Sequence, residues 1–345
     1  MLLSDKIVGY KSLSIVGLEK NTGKTECLNY ILHSIHKNSG KTIAVSSIGL
    51  DGETTDQLMQ TAKPEINLYE GMWFVTSEKH YREKQLTAII DETSERNSAL
   101  GKTVTARALN KGNIILAGPS DTAGIKAMIA RLRKKGVDTV IVDGALSRLS
   151  AGAPTVTEAM ILATGAAVSG NIPELVYRTK FIYDLICLEE VDSVLKNSLS
   201  GIENGVYAIS KEEGENIVHD LNIASSLLFK KNSSNEDIFR YGHHLFVSGI
   251  VGNKFLDFLK LQPVPVNLVI RDFSRIFVTP EVFYAYLKKG HTLQVLDRNN
   301  LLAICVNPQS PEGYLLDSDT LCDALRREVE VPVVDVRKIE TDYVV

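Results

Sequence analysis

The stretch Ser14-Ile15-Val16-Gly17-Leu18-Glu19-Lys20-Asn21-Thr22-Gly23-Lys24-Thr25 decides how the rest of the chain is interpreted. Its apolar beginning predicts a buried strand over 12–17, and the apolar spacing after it predicts a helix over 23–38. Strand, glycine-bounded loop and helix in that order are the context that a phosphate-binding loop requires. In such a loop, successive backbone N–H groups and the helix N-terminus together attract a phosphate chain.

The residue types of this loop suit phosphate chemistry. Gly23 lets the backbone approach closely, Lys24 reaches the terminal phosphates, and the Thr25 hydroxyl is placed to bind Mg²⁺. Five residues separate the two glycines where the usual pattern has four, and an ordinary strand-to-helix turn is the alternative interpretation. The residues predicted to bind the cofactor are Gly17, Glu19, Lys20, Asn21, Thr22, Gly23, Lys24, Thr25 and Glu26.

Two aspartates follow predicted strands and are candidate magnesium ligands together with Thr25. Asp51 comes just after a strand predicted over 42–48, and Asp143 closes the apolar run that begins at Val137. Burying a carboxylate is costly unless something compensates its charge, and a metal ion does so. The alternatives are an Asp-Gly turn at Asp51 and a capping role for Asp143. We predict Lys24 and Asp143 as the catalytic residues.

A strand, a helix and a second strand within the first 48 residues form a βαβ unit, which predicts a parallel sheet with right-handed crossovers. The expected fold class is therefore α/β, with a parallel-sheet P-loop NTPase domain followed by a second α/β domain. We expect the nucleotide-binding domain over 1–178, a connecting region over 179–238 and the C-terminal domain over 239–345. The first domain should include a strand at 114–117 and a helix-like apolar run at 159–162.

The amino-acid composition limits the classes of function that this chain is expected to have. The chain has 345 residues, of which 44% are hydrophobic and 23% charged, as in an ordinary soluble globular protein. A net charge of −4 argues against a broad surface for nucleic acid or an acidic membrane. The four cysteines form no CxxC pair, which fits a reducing compartment, and no apolar run reaches the length of a signal peptide or membrane span. We expect a cytoplasmic protein without nucleic-acid or membrane partners.

Three of these features together resemble the nucleotide domain shared by dethiobiotin synthetase and the glutamine-dependent cobyrinate amidases. They are the loop at 17–25, Asp51, and the triplet Asp143-Gly144-Ala145. In that group an aspartate in the stretch equivalent to Asp51 helps to hold Mg²⁺, and glutamate often stands where this chain has Asp143. The resemblance implies ATP and Mg²⁺ as cofactors.

Further motifs at 16–25, 143–148 and 162–167 resemble the P-loop subunit of the reactivating factor for adenosylcobalamin-dependent lysine or ornithine aminomutases. That resemblance implies an ATP-dependent protein that helps an aminomutase to exchange damaged cobalamin for intact cofactor. The implied partners are the aminomutase or a second reactivase subunit, and a homodimer is a further option. Arg148, within the second motif, is a candidate for a contact with bound phosphate.

Two functions of different class follow from these patterns. In the first, the chain is a Mg²⁺-dependent ATPase with slow hydrolysis, whose nucleotide state changes the conformation of a partner. In the second, it is a ligase or kinase of the dethiobiotin synthetase type, with a small carboxylate or amine bound near Asp51. A third option is that nucleotide has only a structural role. The sequence lacks the Asn-Lys-x-Asp motif that reads guanine, so ATP is favoured over GTP.

Overall fold

The computed structural model describes residues 3–48, 65–98, 101–145, 156–228 and 238–338. The chain divides into two compact units. The first comprises Met1–Lys180 together with Asn299–Val345, and the second comprises Phe181–Arg298. The two units are therefore not N-terminal and C-terminal halves, because the first unit takes residues from both ends of the chain.

The first unit is built on a large, mostly parallel sheet. Its described strands are Ser12–Gly17 (β1), Ile43–Ser47 (β2), Ile66–Leu68 (β3), Trp73–Ser77 (β4), Ala88–Ser98 (β5), Gly101–Ala108 (β6), Gly112–Ile114 (β7), Thr139–Ala145 (β8), Ala159–Gly165 (β9), Asn300–Asn307 (β17) and Val333–Asp335 (β18). Nine of them form one sheet in the order β18-β17-β9-β1-β8-β2-β4-β6-β5. The run from β18 to β4 is parallel, and β6 and β5 add an antiparallel hairpin. The predicted α/β class is confirmed.

Helices cover both faces of this sheet, as a parallel sheet requires. The first unit contains Leu3–Ile7 (α1), Lys24–Asn38 (α2), Glu78–Glu83 (α3), Thr122–Lys134 (α4), Ile172–Ile186 (α5), in which the division between the units falls, and Ser318–Arg326 (α9). Residues of α1 and α2 pack with Leu13 and Ile15 in one buried cluster. Residues of α4 pack with Val140 and Val142 in another. In β8, Ile141 belongs to the first cluster whereas Val140 and Val142 belong to the second, so successive residues of this strand point to opposite apolar faces.

Two predicted elements in the first unit are wrong. The strand expected at 114–117 ends at Ile114, because its partner β3 starts opposite that residue, at Ile66. The next carbonyl, that of Ile115, accepts the Thr76 hydroxyl at 2.6 Å. The helix-like run at 159–162 is part of strand β9, which is buried along its whole length between β1 and β17. A short apolar run has the same composition in a buried strand as in a buried helix, so its pattern did not distinguish them.

The last segment of the chain also differs from the expected domain ranges. We expected 239–345 to form one C-terminal domain, whereas β17 and β18 extend the sheet that contains β1. The backbone of β17 pairs with β9 from Asn300 to Asn307, so it supplies the hydrogen bonds that β9 lacks on that side. Long-range pairing of this kind leaves no mark in the local sequence.

The second unit has its own sheet. Its strands are Val206–Glu212 (β10), Glu215–Ile223 (β11), His244–Val247 (β12), Val251–Gly252 (β13), Asn267–Ile270 (β14), Ile276–Phe277 (β15) and Thr292–Val295 (β16). Its helices are Ser193–Leu199 (α6), Asn253–Lys260 (α7) and Pro280–Lys288 (α8). Five of the described strands follow the order β11-β10-β12-β14-β16, in which β12, β14 and β16 are parallel. Within the described residues, no helix combines the length and apolar character needed to cross a membrane.

At Gly165 the backbone of β9 packs closely against the end of β17. A methyl group on the Gly165 Cα would lie 2.0 Å from the Asn307 carbonyl oxygen, a backbone atom that cannot rotate away. We therefore expect Gly165→Ala to lower the free energy of unfolding by about 1–3 kcal/mol, the usual cost of overpacking. Urea denaturation measures this change. Gly40→Ala is the matched control, because a methyl group there meets no atom within 4 Å; equal stability of the two variants would contradict the expected clash.

Candidate functional site

The loop at 18–23 joins the central strand β1 to helix α2 at the carboxyl edge of the parallel sheet. In register, Gly17 at the end of β1 lies opposite Ala145 of β8 and Ala163 of β9. The loop therefore leaves the sheet between the ends of two parallel neighbours. Open α/β sheets bind their ligands at this edge, in the crevice beyond the strand ends.

The backbone of the loop curls into the shape that favours an anion. Asn21 has φ 63° and Gly23 has φ 84°, so both adopt the left-handed conformation. Asparagine is among the few non-glycine residues that adopt this conformation readily. Left-handed residues alternating with ordinary ones turn successive N–H groups toward one side, which forms a concave nest for anions.

Helix α2 begins directly after this nest, at Lys24. Its N-cap residue is Gly23, which has no side chain to cap the helix, whereas Asp121 and Asp192 cap the N-termini of α4 and α6. The first N–H group bonded within the helix belongs to Cys27, which donates to the Gly23 carbonyl at 2.8 Å. The N–H groups before it retain the partial positive charge of a helix N-terminus and are suited to a phosphate oxygen.

Two glycines of the loop lie where the side chain of any other residue would clash with neighbouring atoms. A Cβ on Gly17 would lie 2.5 Å from the Thr22 hydroxyl oxygen and 2.8 Å from Cγ of Lys24, so the lysine side chain passes close to the start of the loop. A Cβ on Gly23 would lie 2.5 Å from Cβ of Asn307, at the end of β17. The loop thus forms a cradle with a lysine beside it, and its residues fit a polyphosphate.

The loop is anchored by its own polar groups. Thr22 is buried, and its hydroxyl donates to the Glu19 carbonyl at 2.9 Å. The backbone N–H of Leu18 donates to the Ala163 carbonyl at 2.8 Å, which ties the start of the loop to the end of β9. The Thr22 side chain, predicted to bind the cofactor, therefore stabilises the loop from within, and only its backbone is suited to a ligand.

Glu19 forms an ion pair with Arg178, a residue of α5 that the sequence did not indicate. One Nη atom of Arg178 contacts the Glu19 carboxylate, and the other donates to the Val168 carbonyl at 2.9 Å. The two charged side chains are 38% and 39% exposed, so solvent reaches the pair. Because 159 positions separate the two residues, only the fold brings them together.

Exposure differs among the other predicted cofactor residues. Lys20 and Asn21 are exposed, whereas Lys24, Thr25 and Glu26 are half-buried at the start of α2. The nine predicted cofactor residues therefore lie at the end of β1, in the loop at 18–23 and in the first turn of α2.

Asp143 belongs to β8, the strand next to β1. It is in register with Ile15 on one side and Ser47 on the other, and its Oδ1 atom is buried. Burial and a hydrogen bond with Cys305 raise the pKa of the Cys27 thiol, and the negative charge of Asp143 contributes to the same shift. This electrostatic influence indicates that the carboxylate lies near the first turns of α2. Cys27 itself remains a protonated thiol at neutral pH.

The candidate magnesium ligands are only partly described. Asp51 and Arg148 lie outside the described residues. In the part of the chain that is described, no group of three or more His, Cys, Asp or Glu side chains is arranged to hold a metal ion. Thr25 and Asp143 would supply a hydroxyl and a carboxylate, which are oxygen ligands of the type that Mg²⁺ prefers. In nucleotide sites the remaining positions are commonly filled by phosphate oxygens and water.

The chain matches no protein-family model, no curated protein and no solved structure. Its candidate function therefore rests on the geometry of the loop and on its own sequence motifs.

Gly17 offers a direct test of the cradle. We expect Gly17→Ala to weaken binding of MgATP at least about tenfold, because a new methyl group displaces the Thr22 hydroxyl and the Lys24 side chain. Isothermal titration calorimetry measures the affinity, and circular dichroism verifies the fold. Gly249→Ala is the control, since a methyl group there meets no atom within 4 Å. Unchanged affinity in Gly17→Ala would show that the ligand does not use this cradle.

Proposed function

We propose that the chain is a P-loop protein that binds ATP in a Mg²⁺-dependent manner and hydrolyses it slowly. The observation that carries the proposal is the glycine-bounded loop, with left-handed Asn21 and Gly23, that leads into the N-terminus of α2 at the carboxyl edge of a parallel sheet. Backbone N–H groups and a helix N-terminus at that edge are an anion site with a known physical basis.

The proposed roles follow from position along the loop. Backbone N–H groups of residues 19–25 and the Lys24 ammonium group hold the β- and γ-phosphates. Thr25 and Asp143 provide oxygen ligands for Mg²⁺, directly or through water. When bound, the magnesium nucleotide supplies a phosphoanhydride bond whose cleavage releases phosphate. Because phosphoryl transfer needs mainly positioning and charge stabilisation, this small set of residues is sufficient for slow turnover.

We further propose that the protein is a regulatory or reactivating ATPase that acts on a partner enzyme in the cytoplasm. The support is the resemblance of 16–25, 143–148 and 162–167 to the reactivating factor of cobalamin-dependent aminomutases. A second unit, Phe181–Arg298, has its own five-stranded sheet. We assign it to recognition of the partner, because a plain synthetase needs no such additional unit. Nucleotide-dependent ordering of loops at the phosphate is the expected means of coupling.

Lys24→Ala tests the nucleotide site. We expect it to weaken MgATP binding at least about a hundredfold, since it removes the only side-chain cation that the motif directs to the terminal phosphates. Calorimetric titrations with ATP and GTP, each with and without Mg²⁺, measure the effect. The control is Lys41→Ala, a 54% exposed lysine whose ammonium group lies 3.7 Å from Asp138, before the amino end of β2.

Each result of that titration has a definite meaning. Magnesium-dependent binding of ATP by the wild type and by Lys41→Ala, with loss in Lys24→Ala, supports the proposed site. Absence of binding by the wild type means that the loop with five residues between its glycines does not hold nucleotide. Equal affinity of wild type and Lys24→Ala locates any binding elsewhere.

The competing function, a ligase or kinase that phosphorylates a small carboxylate or amine, is tested by phosphate release. We expect a slow basal rate of ATP hydrolysis that small acids and amines do not change, because the nucleotide acts through a partner protein. A coupled phosphate assay with and without a panel of dicarboxylates and diamines measures this. Rapid turnover that depends on one such compound would contradict the regulatory function and favour the ligase or kinase.

A further inference from the structure

Glu19 places a carboxylate inside the proposed phosphate loop, and Arg178 forms an ion pair with it. Glu19 lies two residues after Gly17, and its own carbonyl is part of the loop because it accepts the Thr22 hydroxyl. A polyphosphate bound in this loop carries several negative charges. A bare carboxylate beside it would repel the ligand, since juxtaposed like charges are strongly unfavourable at a binding site.

Arg178 is held in place independently of Glu19. Its second Nη atom donates to the Val168 carbonyl, and the Val168 N–H donates to the Gly165 carbonyl at 2.9 Å in the turn after β9. The next residue, Thr179, is fully buried, and its hydroxyl hydrogen-bonds to that of Thr164 at 2.9 Å. The guanidinium is therefore presented by a helix that is fixed on the end of β9, next to the start of the loop.

The exposure of the pair limits what it does for folding. With both side chains more than a third exposed, solvent screens their attraction, and such a pair contributes little to stability. The position of the pair is the informative feature. Glu19 belongs to the loop that is proposed to bind an anion, so a change in the charge of this pair changes the affinity for that anion.

We propose that Arg178 neutralises Glu19 and thereby allows the loop to accept a polyphosphate, so that Arg178 is a positioning residue for nucleotide affinity. This inference rests on the proposed nucleotide-binding function. An arginine remains charged throughout the physiological pH range, so the compensation is permanent.

The test is a double-mutant cycle on the complete chain. MgATP and MgADP are titrated calorimetrically into the wild type, Arg178→Met, Glu19→Gln and the double variant. We expect Arg178→Met to weaken MgATP binding about tenfold, because it leaves the Glu19 carboxylate uncompensated beside the phosphates. Glu19→Gln should bind MgATP more tightly than the wild type, because it removes a negative charge beside the phosphates, and the double variant should regain most of the affinity lost in Arg178→Met.

Two further readouts separate charge compensation from a structural role. The loss in Arg178→Met should be larger for MgATP than for MgADP, and it should shrink when sodium chloride is raised, because salt screens an exposed charge. The melting temperature should change little. The control is Arg82→Met, which removes an exposed arginine 2.6 Å from Glu78 in α3 and should not alter nucleotide affinity.

The outcomes distinguish this inference from the function on which it rests. If the wild type binds no nucleotide, the proposed function falls and the inference falls with it. If the wild type binds and the double variant is as weak as Arg178→Met, the inference alone is overturned, and Arg178 contacts phosphate directly. Restored affinity in the double variant, with a salt-dependent loss in Arg178→Met, supports charge compensation.

Discussion

The candidate site depends on close packing at three glycines along the carboxyl edge of the first sheet. Gly17, Gly23 and Gly165 each occupy a place where a single methyl group would meet another atom at 2.0 to 2.5 Å. At Gly165 that atom is a backbone oxygen of β17, and at Gly23 it belongs to the side chain at the end of the same strand. The end of β17 thus closes the loop from one side, although it comes almost 300 residues later in the chain.

This packing explains why a short loop keeps a conformation that isolated chains avoid. Left-handed backbone at Asn21 and Gly23 is held by contacts on both sides: the Leu18 N–H bonds to β9, and Thr22 bonds within the loop. A phosphate site gains affinity when its N–H groups are oriented before the ligand arrives, because less ordering remains to be done on binding. The first unit therefore provides a preorganised nest rather than a loop that must fold around its ligand.

The electrostatics of the loop have more than one source. The N-terminus of α2 and the Lys24 ammonium group contribute positive potential, whereas Glu19, Glu26 and Asp143 contribute carboxylates nearby. Of these, Glu19 is compensated by Arg178. Asp143 is partly buried, and its charge contributes to the raised pKa of the Cys27 thiol in α2. The proposal that Asp143 helps to bind a divalent cation builds on this position.

The sequence by itself determined the elements with strong local patterns. The strand before Gly17, the helix after Gly23 and the strand that carries Asp143 lie where the apolar spacing predicted them, because periodicity and glycine placement act over a few residues. Only the tertiary structure decided the rest. Residues 159–162 form a strand because β1 and β17 bury them on both sides, and 299–345 joins the first unit through the pairing of β17 with β9. Arg178 reaches Glu19 for the same reason: contacts between residues far apart in the chain depend on the fold and leave no local pattern.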